Sequence, residues 1–475
     1  MTFSLPKMDL TLTNTETKKK QKVVPSQGNV VTLYTCGPTV YAFAHIGNFR
    51  TFVVEDILRR AIQFFGFDVK QVMNITDVDD KTIRGAIEKE CSLDVYTKPF
   101  KDAFFEDLKE LNIERVEFYP CATEFIPQMI QMVQDLIGRG FAYVGQDKSV
   151  YFSIKKFSEY GKLSHLKLDE LLTSTTEQNS QDEYTKEHAS DFVLWKSYDS
   201  ARDGTIFWES PFGKGRPGWH LECSSMAKAL LGDTIDIHGG GVDLIFPHHE
   251  NEIAQSECCS GKHFAKLWFH VEHLLVNMKK MSKSLGNFYT LRDLLSQGIS
   301  GKVVRYLLIG THYRTQLNFT NQGIDAAKAS VTRLNDFIRR LEEYDNAESS
   351  PKIEQYLNDE FKKFASAIGD DLNIPEALAA VFDVVRSVNS LCDEKKCSTS
   401  DVKKVLEFLS KVDSVLGVMT FQHEEIPKDI SDLVLEREDA RKGKNFARSD
   451  EIRKELTKRG YTLEDTSKGP RVKKI

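Results

Sequence analysis

Two short stretches of this chain carry side chains suited to handling phosphate. His45-Ile46-Gly47-Asn48 places an imidazole, a glycine and an amide just ahead of a run with helical spacing. A helix N-terminus offers unpaired N–H donors and positive dipole character, and glycine lets a ligand approach the backbone closely. Alone, the same residues read as a capped turn with a satisfied histidine. Far downstream, Lys280-Met281-Ser282-Lys283-Ser284 sets two lysines three apart with hydroxyls between them. Such a loop can follow a polyphosphate and stabilise the charge that grows on a departing pyrophosphate. A lone basic loop is usually a solvated turn, but the two elements in this order on one α/β chain are far harder to assign to chance.

A third group has metal-ligand character. Cys36 ends a β-rich run, Cys223 sits in GWHLECSSM, and His248 and Glu252 are spaced i, i+4, one face of a helix. Two thiolates, an imidazole and a carboxylate form a set that Zn²⁺ accepts. Against this, there is no Cys-x-x-Cys pair, His249 and His238 are rival ligands, and Cys36 and Cys223 read equally well as small buried hydrophobes.

These residues need a scaffold. A β-rich run at 30–36 stops at Gly37-Pro38, helical spacing follows over 50–65 up to Gly66, and a second β-rich run spans Val69 to Ile75. Strand, helix and strand make a βαβ crossover, and the loop 37–49 then lies at a strand's C-terminal end, where open parallel sheets bind ligands. From about 100 to 215, helices alternate with short β pieces (149–154, 191–195), which reads as an insertion; 173–190 is almost free of apolar residues and is expected to be a surface loop. Sheet character returns at 234–241 and 266–276, flanking a helix expected from Pro247 to Cys259 with Gly261 as its stop. From about 323 the period is helical. Val331, Leu334, Phe337, Ile338 and Leu341 form one apolar stripe, Val402, Val405, Leu406, Leu409, Val412 and Leu416 another, and Pro375 after Asn373 marks a helix start. Past Pro427 one charged helix is expected over about 431–459, before a tail ending RVKKI.

Composition sets the outer limits. At 475 residues, 40% apolar and 28% charged, the chain is expected to fold as a soluble globular protein of several domains rather than as a disordered or fibrous one. A net charge of −6 argues against indiscriminate nucleic-acid binding, yet residues 441–475 hold twelve Lys or Arg against five Asp or Glu. No stretch reaches the length of a membrane span, and the polar segment Met1 to Lys22 does not read as a signal peptide, so a cytoplasmic location is expected. Eight cysteines are too few for a disulfide scaffold.

With these residues in place a resemblance becomes specific. HIGN and KMSKS resemble the two signatures of class I aminoacyl-tRNA synthetases. YTCGPTVYAFAHIGNFRTF, NITDVDDK (74–81), GRPGWHLECSSM (215–226) and DIHGGGVDLIFPHHENEIAQSE (236–257) are similar to the cysteinyl-tRNA synthetase family along the whole chain. The resemblance implies an α/β fold: a Rossmann-type catalytic domain over 1–310 with a connective insertion at about 100–215, an α-helical bundle over 311–425 that binds tRNA, and a small basic anticodon-binding domain over 426–475. It implies one Zn²⁺ on Cys36, Cys223, His248 and Glu252, and Trp219, His238 and Thr76 beside the substrate. His45, Gly47, Lys283 and Asp243 would serve ATP, supplied with Mg²⁺, and His45, Asn48, Lys280 and Lys283 the chemistry. One departure stands out: Asn48 occupies a position where the nominal pattern has histidine, and an amide can donate to phosphate but carries no charge.

The implied reaction is activation of L-cysteine to its adenylate and transfer to the 3′-terminal ribose of tRNA(Cys), by a protein expected to be a monomer. An apolar pocket distinguishes SH from OH weakly, by about 10²-fold. Zinc would change the basis of selection by bonding the thiolate, provided that a four-ligand site expands to five. The main rival is a related ligase that joins cysteine to an amino sugar. A catalytically silent RNA- or zinc-binding relative would be expected to lack His45 or the lysine pair.

Overall fold

The structure, a computed structural model, describes residues 3, 8–166, 191–281, 286–350, 352–421, 427–466 and 469–474. Lys283 and the polar segment 173–190 lie outside the described residues. In chain order the elements that concern the site are β1 (Thr11–Asn14), β2 (Lys19–Lys22), β3 (Val30–Thr35), α1 (Ile46–Phe64), β4 (Asp68–Met73), α2 (Asp80–Glu88), α3 (Leu93–Glu110) and α4 (Ile126–Gly138). There follow β5 (Ala142–Val144), β6 (Val150–Phe152), β7 (Phe192–Ser197), β8 (Gly215–Pro217), α5 (Trp219–Leu231), β9 (Ile235–Gly241), α6 (Glu250–Ser260) and β10 (Ala265–Val271).

The central sheet is parallel throughout, in the order β10-β9-β3-β4. The expected βαβ unit is its core, with α1 as the crossover and Gly66 at φ +88° closing the helix before β4. Nearly every residue of α1 is buried, Glu55, Asp56, Arg59 and Arg60 included. A helix covered on both sides has no solvent face to mark with polar residues, so its pattern is less clearly amphipathic than that of a surface helix. The region expected to be an insertion holds an antiparallel sheet, β5-β6-β7-β8, and a hydrophobic core there includes Trp195, Met129, Phe152 and Leu221.

Beyond the sheet come β11 (Leu274–Val276), β12 (Lys279–Lys280), α7 (Leu291–Ser296), α8 (Gly301–Ile309) and β13 (Leu317–Phe319), then the bundle α9 (Asn321–Glu342), α10 (Ile353–Gly369), α11 (Ile374–Asp393) and α12 (Thr399–Leu416). The α9 stripe is buried as its spacing requires, and Asn373 caps α11 by accepting from the Glu376 N–H, with Pro375 in the first turn. In α12, Phe408 and Val415 are buried while Leu406 stays partly exposed, so the buried face is turned slightly from the expected stripe.

Residues Met1–Met419 form one compact unit and Thr420–Ile475 a second. In the second, the single charged helix expected over 431–459 is two, α13 (Lys428–Lys442) and α14 (Phe446–Lys458), followed by an antiparallel hairpin of β14 (Tyr461–Thr466) and β15 (Gly469–Lys474). The break lies at Gly443-Lys444-Asn445, where Lys444 takes φ +57° and Asn445 caps the next helix. Folding back lets Ile430, Ile452, Leu456 and Leu463 share a core that one straight helix could not close.

A fully buried arginine ties the bundle to the crossover helix α1. Arg305, fully buried on α8, donates to the carbonyls of Leu416 at 2.7 Å and of Leu111 and Asn112 at 3.1 Å, and to Asp56 Oδ2 at 2.5 Å. Arg305→Leu leaves those acceptors dry and short of a donor, and should cost about 3–5 kcal/mol. Arg305→Lys should recover only part of this, because an ammonium cannot reproduce the guanidinium fork; urea denaturation followed by circular dichroism measures both.

Candidate active site and metal centre

The candidate ligands gather at the C-terminal ends of the parallel strands. Cys36 follows β3 directly, and its N–H donates to Gly239 O in β9 at 3.2 Å. The exit from β3 is tight, since a Cβ on Gly37 would lie 1.8 Å from Asn74 O. Cys223 comes from the middle of α5. His248 is the second-last residue of a short wide turn, Ile245–His249, that runs into α6, and Glu252 sits in the first turn of α6. The i, i+4 spacing therefore holds although α6 begins later than Pro247: His248 Nε2 lies 3.0 Å from Glu252 Oε1.

Cys36 Sγ is 3.9 Å from Cys223 Sγ and 3.9 Å from Glu252 Oε1. The four donor atoms of Cys36, Cys223, His248 and Glu252 all lie within 4.8 Å of one another, and all four residues are buried. The rivals are present too: Cys36, His238, His249 and Glu252 meet the same criterion, with His249 Nε2 at 3.3 Å from Cys36 Sγ and His238 Nε2 at 2.9 Å from Glu252 Oε2. In either set, buried thiol, imidazole and carboxylate donors converge on one point, the donor chemistry of a zinc site.

The protonation states show what this crowding does. Burial would raise the Glu252 carboxyl, but His238 and His248 overcome it and hold it down to about 2. Burial likewise works against Cys223, yet its hydrogen bond with Cys36 brings it down to about 6, while Cys36 itself is pushed well up by burial and by that neighbour. Burial disfavours a charged His248, but Glu252 and Cys223 outweigh it and raise it to about 10. His249 is driven well down by burial and by the rings of His238 and His270.

A second circle of histidines supports the first. His220 Nδ1 is 2.8 Å from His248 Nδ1, and His249 Nδ1 is 2.7 Å from His270 Nε2, whose Nδ1 is 2.7 Å from Thr15 Oγ1. His220, His270 and Thr15 escaped the sequence reading. A signal existed for His270: Trp268 and His270 alternate along β10, and Trp268 is in register with His238 on β9. Of the expected substrate residues, Trp219 opens α5 with its ring 4.3 Å from that of His248 and 40% of its surface exposed, so it forms an accessible wall. The buried Thr76 hydroxyl accepts from Asn74 Nδ2 at 3.1 Å and donates to Glu222 Oε2 at 2.9 Å.

The phosphate-type loops meet alongside. His45 is the N-cap of α1; its Nδ1 accepts from Asn48 N at 3.1 Å while Asn48 Oδ1 accepts from His45 N at 3.1 Å. Asn48 thus spends its oxygen on the cap, leaving the Nδ2 donor as what it can offer a phosphate. Ile46 N donates to Tyr289 O at 3.0 Å, His45 bridges to Thr290, and a Cβ on Gly47 would meet His45 Nδ1 at 2.9 Å and Met281 Cε at 3.4 Å. The segment that carries Lys280 and Met281 therefore lies against the HIGN turn. Lys280 is exposed at the end of β12, and Asn287 donates to its carbonyl at 3.2 Å. Asp243 is exposed just past β9, where a Cβ on Gly241 would meet its Oδ1 at 2.3 Å.

Known proteins match this arrangement. The family described as tRNA synthetases class I (C) catalytic domain matches residues 22–329, the DALR domain residues 363–422, and the cysteinyl-tRNA ligase anticodon binding domain residues 423–472. The chain is 58% identical over 473 residues to a cysteine--tRNA ligase of Protochlamydia amoebophila, covering 99% of each. It is 55% identical over 478 residues to that of Chlamydia muridarum, covering 98% of this chain and all of the relative. In fold it is similar to Mycobacterium tuberculosis methionyl-tRNA synthetase in complex with methionyl-adenylate, at TM-score 0.59 and 14% identity over 82% of this chain and 90% of the other. A likeness of the same TM-score, 0.59, links it to the agnB2 LeuRS–tRNA–LeuAMS complex of Agrobacterium radiobacter K84, at 12% identity over 83% and 85%.

The donor set makes a prediction about metal content. Cys223→Ser should remove most of the zinc that co-purifies with the protein, measured by inductively coupled plasma mass spectrometry, and unchanged zinc would take Cys223 out of the site. Because ligands must shed protons to bind, zinc affinity should fall on acidification. The fall should steepen below about pH 6, where Cys223 regains its own proton.

Proposed function

The chain belongs to the cysteine--tRNA ligases, class I aminoacyl-tRNA synthetases, and from that premise we propose how its residues divide the work. The enzyme activates L-cysteine with ATP and charges tRNA with it. The amino-sugar alternative is not supported, since the relatives match from end to end and residues 423–472 match an anticodon-binding domain.

Cys36, Cys223, His248 and Glu252 are the residues we assign to zinc. Two thiolates rather than one favour this set over the one with His238 and His249. When bound, the ion supplies a Lewis acid that lowers the pKa of a substrate thiol and a bond to sulfur that a serine hydroxyl cannot match. His238 donates from Nε2 to Glu252 Oε2 and fixes that carboxylate, and His220 fixes the ring of His248. Trp219 closes the wall beside His248, and Thr76 turns its remaining lone pair to the substrate ammonium, its proton being committed to Glu222.

ATP, with its Mg²⁺, lies across the α1 N-terminus. Gly47 admits the phosphates, and His45, Asn48 Nδ2, Lys280 and Lys283 stabilise the charge that develops as a cysteine carboxylate oxygen attacks the α-phosphorus in line and diphosphate departs. Asp243, beyond β9, serves the nucleotide side. A ribose hydroxyl at the tRNA 3′ end, the 2′-OH in this reading, then attacks the activated carbonyl and AMP leaves; no side-chain nucleophile takes part.

In the same proposal the catalytic region runs to about residue 310 with its insertion at about 100–215. The bundle at 311–425 and the small basic domain at 426–475 serve the tRNA, and the enzyme works as a cytoplasmic monomer. No helix among the described residues is long and apolar enough to cross a membrane.

The observation that carries the reading is that the described residues flanking the second signature sit on the first, with Ile46 N to Tyr289 O at 3.0 Å and Met281 Cε 3.4 Å from where a Cβ on Gly47 would lie, near the strand end that delivers Cys36 to the buried Cys/His/Glu cluster. His45→Ala and Lys280→Ala should each lower cysteine-dependent ATP–pyrophosphate exchange by about 10²–10³-fold with zinc content unchanged; a change of less than about threefold would remove that residue from the transition state. Deleting residues 427–475 should leave exchange within a few-fold and lower tRNA charging by more than about tenfold, through lost phosphate and base contacts. Equal losses in both assays would contradict the division of labour.

A further inference from the structure

The loop between β3 and α1 carries two large rings that the chemistry above does not use. Tyr41 and Phe43 stand four and two positions ahead of His45, and both remain open to solvent, at 36% and 44% of their surface. They do not belong to a loose loop. Val40 N donates to Thr76 O at 3.0 Å, and Tyr96 OH on α3 donates to Tyr41 O at 3.0 Å. Phe100, also on α3, sets its ring 5.3 Å from that of Phe43 at 76°, and Tyr96 packs 5.6 Å from Phe100. The rings are thus held from behind and exposed in front.

Cations lie against both rings. Lys81 Nζ, at the start of α2, is 4.8 Å from the Tyr41 ring centre, and the Arg292 guanidinium, in the first turn of α7, is 5.4 Å from that of Phe43. Arg292 is steadied by the Ala103 carbonyl at 3.2 Å and Glu106 at 2.7 Å, with Asp107 at 3.4 Å. Lys81 lies beside Asp79, whose carboxylate is taken up in capping α2. The first signature loop, the segment after NITDVDD and the helix after the second signature loop therefore converge on one patch at the mouth of the site.

Exposed aromatic faces interleaved with cations fit a single-stranded nucleic acid: bases stack on rings whatever their identity, and the cations meet the phosphates between them. A duplex cannot use such a surface, because its bases are already stacked on one another. We infer that Tyr41 and Phe43 are a stacking platform for the unpaired 3′-terminal nucleotides of the tRNA, with Lys81 and Arg292 on the intervening phosphates. The inference rests on the reading that the terminal ribose is delivered to an adenylate beside His45, for which a path across this loop is the direct approach.

The test uses the full-length, zinc-loaded enzyme and tRNA with 2-aminopurine as its penultimate 3′ nucleotide. On binding wild type, the probe's fluorescence should be quenched by stacking. Phe43→Ala should abolish the quench and lower kcat/KM for tRNA charging by about 5- to 150-fold, the cost of one lost base stack, while ATP–pyrophosphate exchange and zinc content stay within about twofold. Phe43→Tyr, which keeps a ring face, should restore both quench and charging. An unquenched probe on wild type, or unchanged charging by Phe43→Ala, would overturn the platform and leave the proposed function standing. Parallel loss of exchange and charging in Phe43→Ala would overturn it in favour of a structural role for the loop. A wild type that activates cysteine but charges no tRNA would overturn the function reading and the platform with it.

Discussion

Glu252 is a carboxylate with no access to water, between two histidines and two thiols. Burial on this scale would ordinarily neutralise a carboxyl, and it is held down to about 2 because His238 and His248 meet its two oxygens. That arrangement is costly without a cation and natural with one, and the surrounding architecture serves to maintain it. The strand ends bring Cys36 and His238, α5 brings Cys223, and the wide turn into α6 brings His248 and Glu252, so displacing any one element leaves buried charge uncompensated.

The parallel sheet suits this task because all its C-terminal edges open on the same side. β3 delivers both a metal-type ligand, Cys36, and the loop leading to the phosphate-type turn at His45; β9 delivers His238 and then Asp243. The buried Cys/His/Glu cluster and the N-terminus of α1 thus become neighbours through one strand and one crossover. Arg305, paired with the buried Asp56 of α1, extends the same economy to the bundle, since a single guanidinium collects carbonyls from α12 and from the segment after α3.

Much of this was legible in the residues. The βαβ unit, the α9 stripe and the i, i+4 relation of His248 and Glu252 follow from periodicities that depend only on local geometry. The HIGN and KMSKS motifs are runs of consecutive residues, readable without knowing the fold. What escaped was long-range or broke a period. The contacts of His220 with His248, and of His270 with His249 and Thr15, join residues far apart in sequence, and a lone histidine in a strand has no local mark of a partner. The choice between His248 and the pair His238 and His249 could not be made from spacing, since the turn before α6 lets both approach Cys36. The split of the C-terminal helix at Lys444 hinged on one residue with positive φ, in a stretch so highly charged that its apolar contacts are sparse.

The central claim is that the buried cluster reads the substrate through sulfur. X-ray absorption at the zinc edge, recorded on the purified enzyme alone, with L-cysteine and with L-serine, addresses it most directly. Two sulfur neighbours at rest, a third with cysteine and none added with serine is the result the account predicts. A sulfur count that stays the same when cysteine binds would contradict it.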